Sequence, residues 1–262
     1  MGTIVFAVIA FGVAAALAWP ASGPYRADHS YRLALIAQNQ YQQVSQSQQQ
    51  QQQQAAPQYL GRAQSEFGHA IAANPWEASY IESRGRLVAA QAQANVPKEG
   101  SAGNPTEAVR LYRESLKDYE RAVGLQPRNP YILSAYADVL LKIGELDNSD
   151  TTSRPKAIQA LRDATAGNPW RLQPWQLLGA LLANNNDPSG ALAVAEKALV
   201  YFPGNVDVLR QAATAAEKLG DKEKAKAYWE KIVVAAPSDQ QARSALGLPA
   251  ATTTAEASTS SG

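Results

Sequence analysis

Leu172–Pro203 reads LQPWQLLGALLANNNDPSGALAVAEKALVYFP. Trp175, Leu178, Gly179 and Leu182 fall on one face of a first helix, and Ala191, Ala195 and Ala198 on one face of a second. Pro203 prevents the second helix from continuing. The next 34 residues repeat the plan: Leu209, Ala212, Ala213 and Ala216, then Ala225, Trp229 and Ile232, closed by Pro237. Small residues recur where two helices must approach closely, and bulky ones where a gap must be filled. A fixed period of this length predicts an all-α stack of helical hairpins.

The spacing W-x2-L-G-x2-Y, followed by A, F, A and P, resembles the tetratricopeptide repeat family, with Leu182 in place of Tyr and Ala195 in place of Phe. Earlier units keep the register with insertions. Leu133, Tyr136, Ala137 and Leu140 precede Ala157, Leu161 and Ala164, and the surplus falls in ELDNSDTTSR. Ile81, Gly85 and Val88 precede Ser115, Tyr119 and Ala122, with the surplus in VPKEGSAGNP. Ala63, Phe67 and Ala70 mark a second helix whose partner is ADHSYRLALIAQNQ. The resemblance implies a solenoid of about five hairpins over residues 59–247, preceded at 21–58 by a first helix and a glutamine-rich insertion.

Turn residues agree with this register. Gly144, Asn186 and Gly220 occupy the same place after three first helices, where a left-handed residue often closes a helix. The tripeptide NPW, at Asn74–Trp76 and Asn168–Trp170, marks repeat boundaries, its aromatic expected to pack at the start of the next hairpin. Ser238 and Gln241 read as a capping box that opens a terminal helix ending at Gly247.

The two ends differ from the middle. Gly2–Trp19 carries no charge and, at about 1.5 Å per residue, is long enough as a helix to approach a bilayer core of roughly 30 Å. It reads as a transmembrane anchor over residues 1–20, stopped by Pro20. A cleaved signal peptide is the alternative, since Ala16-Leu17-Ala18 fits a cleavage pattern but no Lys or Arg precedes the run. Arg26 and Arg32 follow it, a slight bias toward cytoplasmic repeats. The run Gln48–Gln54 and the tail 248–262 are low-complexity, the tail expected to be disordered.

A formal charge of +1 supplies no basic excess for nucleic acid. The absence of cysteine rules out disulfides and thiolate metal sites, and two histidines, His29 and His69, offer little for imidazole chemistry. No phosphate-binding glycine loop, H-E-x-x-H or G-x-S-x-G is present. The segment Asp147–Asp150 lacks the glycine and closing glutamate of a calcium loop. His69 reads as a core-edge residue, and Trp76, Trp170, Trp175 and Trp229 as packing or boundary residues. No catalytic, cofactor or metal site is expected, and the chain reads as a binding protein.

In the family, five positions of each first helix usually face a partner groove. Here they correspond to Glu82 and Arg86 in one hairpin and to Ser134, Asp138 and Lys142 in the next. The later hairpins supply Gln173, Gln176 and Asn184, then Asp207, Arg210, Glu217 and Lys218. The set is polar and mixed in sign, without the basic clamp that family members use for a chaperone's C-terminal carboxylate. YRADHSYRLALIA and AIAANPWEASYIESRGRLVAA are also similar to the C-terminal part of bacterial O-antigen ligase and polymerase family membrane proteins. That second resemblance implies an accessory, non-catalytic link to surface-polysaccharide synthesis. The resulting expectation is a single-pass scaffold of the bacterial cell membrane. Its repeats lie on the extracytoplasmic side and hold a protein or peptide in the groove.

Overall fold

The computed structural model describes residues 2–47, 54–98 and 103–250, with side chains described from Gly23 onward. Among the described residues the chain forms helices and no strands beyond a single bridge residue. Two compact units divide at Arg154 and Pro155.

The first unit holds α1 (Gly2–Ser45), α2 (Ala56–Ala73), α3 (Ala78–Asn95), α4 (Pro105–Leu125) and α5 (Pro130–Leu146). Helix α1 lies along α2 through fully buried small residues, Ala34 and Ala37 against Ala63, with Phe67 filling the space beside them. Tyr31 knits this hairpin to α3: its ring lies 4.6 Å from that of Tyr80, and its hydroxyl is 3.1 Å from Ser83 Oγ. Helices α3 and α4 approach most closely at Gly85. A β-carbon there would lie 3.1 Å from Asp118 Cβ and 3.3 Å from the Tyr119 ring. The Ser115 hydroxyl donates to Gly85 O at 2.7 Å across the same contact. Beside it, Arg84 forks onto the buried carboxylate of Asp118, Nε donating to Oδ2 at 2.8 Å and Nη2 to Oδ1.

The second unit takes in almost all of α6 (Ser153–Gly167), then α7 (Leu172–Asn184), α8 (Pro188–Tyr201), α9 (Val206–Lys218), α10 (Lys222–Ala235) and α11 (Gln240–Ala245). Its core repeats itself at the family spacing: Leu178, Leu182, Ala195 and Ala198 are buried in one hairpin, Leu209, Ala212, Ala213, Ala216 and Ile232 in the next.

Two kinds of short turn recur between these helices. Within the last two hairpins, Asn186 (φ 56°) and Gly220 (φ 79°) take the left-handed conformation. The following amides of Asp187 and Asp221 then reach back to Leu182 O (2.9 Å) and Ala216 O (3.0 Å). The same aspartates cap the next helix, accepting from Gly190 N at 2.8 Å and Lys224 N at 3.0 Å. One short turn thus satisfies the carbonyl end of one helix and the amide end of the next. Between hairpins, each of the boundary prolines Pro75, Pro127, Pro169, Pro203 and Pro237 sits second in a turn closed by a hydrogen bond from the fourth residue to the first. Glu77 N to Asn74 O (3.4 Å) and Arg171 N to Asn168 O (3.3 Å) are the two NPW examples.

Several expectations need correcting. Helix α1 runs through Pro20 and Pro24. A proline removes one backbone donor without obliging the chain to leave the helix. Gly144 lies inside α5, and Asp147 closes that helix instead, because the longer connection lets the turn start later. Its aspartates order the loop: Asp147 accepts from Ser149, and Asp150 from Thr152 and Ser153. The cap of α11 is Asp239, which accepts from Ala242 N at 2.9 Å, rather than Ser238. Trp76 (78% exposed) and Trp170 (70%) stand in solvent, since the third residue of the boundary turn projects outward. Trp175 and Trp229 are buried, as expected. His69 is exposed beside Glu66, not at a core edge.

Among the described residues no helix is long and apolar enough to cross a membrane. The side chains of Gly2–Trp19, residues 48–53 of the glutamine run and tail residues 251–262 lie outside the described residues.

Candidate functional site

The registers of α7 and α9 place small residues on facing surfaces: Gly179 and Ala183 on α7, Ala191 on α8 and Ala215 on α9. With so little side-chain volume the helices leave a cleft of about 330 Å³, closed at one side by Pro188. Its polar lining is Asp207, Arg210, Gln211, Thr214 and Lys218, all from α9. Gln211 crosses to α7, where Nε2 donates to Gln176 O at 2.9 Å. Its Oε1 packs over Gly179, 2.7 Å from where a β-carbon would stand, so a larger residue there would make the end of the Gln211 side chain shift. Buried Gln211 Oε1 and Arg210 Nε have no hydrogen-bond partner among the described residues.

Charge in the cleft is internally matched at one end. Arg210 bridges two carboxylates, Nη1 to Asp207 Oδ1 at 2.9 Å and Nη2 to Asp239 Oδ2 at 2.6 Å. The Ala242 amide, and after it Arg210, hold the Asp239 carboxyl below its ordinary range. Arg210 therefore ties α9 to the cap of α11 as well as lining the cleft. Lys218, exposed at the other end, makes no ion pair among the described residues. The cleft can accept a narrow, extended chain that presents backbone polar groups to its rim and small side chains to its floor.

The expected groove residues fall into three groups. Asp207, Arg210 and Lys218 meet in the cleft, and Gln176 joins them through a 3.4 Å contact from Nε2 to Asp207 Oδ2. Glu217 turns away to accept the Trp229 indole N–H at 2.7 Å. Gln173 is held by Arg171 at 3.1 Å, and Asn184 is exposed at the helix end. In the first unit Ser134 is buried and donates to Pro130 O at 2.6 Å. Glu82 and Arg86 pair with each other on α3 at 2.6 Å, and Lys142 pairs with Glu145 at 2.7 Å. Burial, with Glu82 and Asp138 nearby, pushes the Tyr119 phenol far up, against an opposing effect of Arg86. Burial also raises the Asp138 carboxyl, and Lys142 partly offsets it. Thr214 holds a position that the family turns toward the groove, whereas Gly179, Ala183 and Gln211 were not anticipated as lining it. Their only signal was smallness or polarity at positions read as helix packing.

Among the described residues no three His, Cys, Asp or Glu side chains are grouped to hold a metal ion.

No protein-family model and no curated protein matches the chain. Among solved structures it is similar to YrrB, described as a tetratricopeptide repeat protein with an unusual peptide-binding site. Identity is 18% and TM-score 0.52, over 74% of this chain and 87% of that one. MamA is similar at 14% identity and TM-score 0.51, covering 82% of this chain and 98% of that one. PilF of Pseudomonas aeruginosa is similar at 16% and 0.51, covering 84% and 81%. At these identities the likeness shows the fold, and that fold is the tetratricopeptide repeat.

Proposed function

We propose that the chain is a membrane-anchored scaffold of the bacterial envelope that captures an extended peptide segment of a partner protein. The α7–α9 cleft is the capture site. The observation that carries this is a small-residue floor beneath a polar rim that brings together Asp207, Arg210 and Lys218. The fold supports it, since stacked hairpins present first-helix faces suited to peptides. The charge-free stretch Gly2–Trp19 supports the anchor. That the repeats lie on the extracytoplasmic side is part of the proposal, tested by protease added to spheroplasts. A link to polysaccharide synthesis rests on sequence motifs alone.

The test is a selection of displayed random 12-residue peptides on the immobilised chain. Peptides held in this cleft should bind at least tenfold more weakly to Ala183→Phe, which fills the cleft, and measurably more weakly to Lys218→Glu. Circular dichroism of both variants should be unchanged. Selected peptides indifferent to both substitutions would remove the cleft from consideration.

A further inference from the structure

A second cleft, of about 560 Å³, lies on the second helices of the same unit, between α6 and α8 over α7. Trp175, Leu178 and Leu182 form its apolar base. Tyr201 walls one end, stacked on Trp175 at 6.2 Å, and the exposed Trp170 of the boundary turn meets Tyr201 edge-on at 5.1 Å. The row Trp170–Tyr201–Trp175 therefore runs from solvent down to the cleft base. The Trp175 indole N–H is already satisfied by Pro169 O at 2.9 Å, so the ring offers its apolar face.

The charges at this cleft are one-sided. Arg162 from α6 and Lys197 from α8 line it, both exposed, and no carboxylate does. The acids next to them in sequence are engaged elsewhere: Asp163 accepts from Gln159 at 2.9 Å, and Glu196 holds Lys224 at 3.1 Å and the Tyr228 hydroxyl at 3.0 Å. Neither Arg162 nor Lys197 forms an ion pair among the described residues. Aromatic side chains and arginine around an apolar pocket are the features that concentrate binding energy at protein interfaces. Two unmatched cations set the sign of what completes the pocket.

We infer that the α6–α8 cleft is a second docking site, separate from the α7–α9 cleft, for a partner segment with a large apolar side chain flanked by carboxylates. The apolar side chain covers Leu178 and Leu182, and the acids meet Arg162 and Lys197. Trp170 closes over the exposed side.

The same library of random 12-residue peptides tests it, now sorted by variant. A class enriched in acidic and large apolar residues is expected. It should lose at least tenfold in affinity on Arg162→Glu/Lys197→Glu and on Ala193→Trp, which narrows the cleft from an exposed position. It should weaken with rising salt and retain its affinity for Ala183→Phe. Selection yielding no such class, or acidic peptides that respond only to Ala183→Phe and Lys218→Glu, overturns the inference while leaving the first cleft standing.

Discussion

Single carboxylates do different work in this chain, according to what meets them. Asp150 accepts from Ser153 Oγ at 2.7 Å, Ser153 N at 2.9 Å and Thr152 N at 2.8 Å. Those bonds, the Ser153 hydroxyl foremost, hold its pKa down at about 2. An unfolded aspartate titrates near about 3.9. The folded state therefore binds this proton less readily, and the stabilisation is fully present above the ordinary aspartate range. It is lost as pH falls from there through about 2. Asp150→Ala is expected to cost about 1–2 kcal/mol at neutral pH. In thermal melts from pH 7 to pH 2, the gap to the parent chain should narrow steadily on the acid side. A constant gap would mean that Asp150 acts through packing. Asp138 has the opposite sign, since burial raises it. Its destabilising contribution is relieved as pH falls through the raised value toward the ordinary aspartate range, so the two residues must be separated by individual substitution.

At the scale of helices, small residues decide how closely partners lie, and the structure supplies a contrast. A β-carbon on Gly85 would press on Asp118 Cβ and the Tyr119 ring, while one on Gly68 in α2 would meet nothing within 4 Å. Gly85→Leu should destabilise by about 1–3 kcal/mol through overpacking. Gly68→Ala should stabilise by up to about 1 kcal/mol through helix propensity. Chemical denaturation of the two variants checks both signs, and equal effects would refute the close approach of α3 and α4. Gly85 was legible in the sequence because the repeat register demands a small residue there. The helices, the hairpin pairing and the left-handed Asn186 and Gly220 were legible for the same reason: period and turn chemistry are local. Arg210 was not fully legible. Spacing assigned it to a helix face but gave no account of Asp239, 29 residues onward, returning to pair with it. Trp76 and Trp170 misled because a turn's geometry, rather than side-chain hydrophobicity, directs its third residue. The aromatic row beside Trp170 depends on Tyr201 at the end of α8, two helices on, which no spacing within the NPW turn announces.

For the molecule as a whole, attachment and recognition depend on different physics and can be separated. The charge-free Gly2–Trp19 would hold the chain in a bilayer by apolar transfer, which salt does not screen, whereas a formal charge of +1 offers little electrostatic hold on an anionic surface. The full chain is therefore expected in the membrane fraction after washing with high salt, and a chain lacking residues 2–19 in the soluble fraction with its helical circular dichroism intact. Release of the full chain by salt would mean peripheral binding and would sink the anchor. Protease added to spheroplasts then reports the side. Digestion of the repeats without lysis places both clefts among envelope partners. Protection until lysis places them in the cytoplasm, the side toward which Arg26 and Arg32 lean. The clefts would keep their chemistry in either location, because Lys218, Arg162 and Lys197 are presented by helices of the second unit alone. Peptide affinities measured on the chain without residues 2–19 should therefore equal those of the full chain in detergent. A difference beyond about twofold would show that the N-terminal segment itself occupies or shapes a cleft.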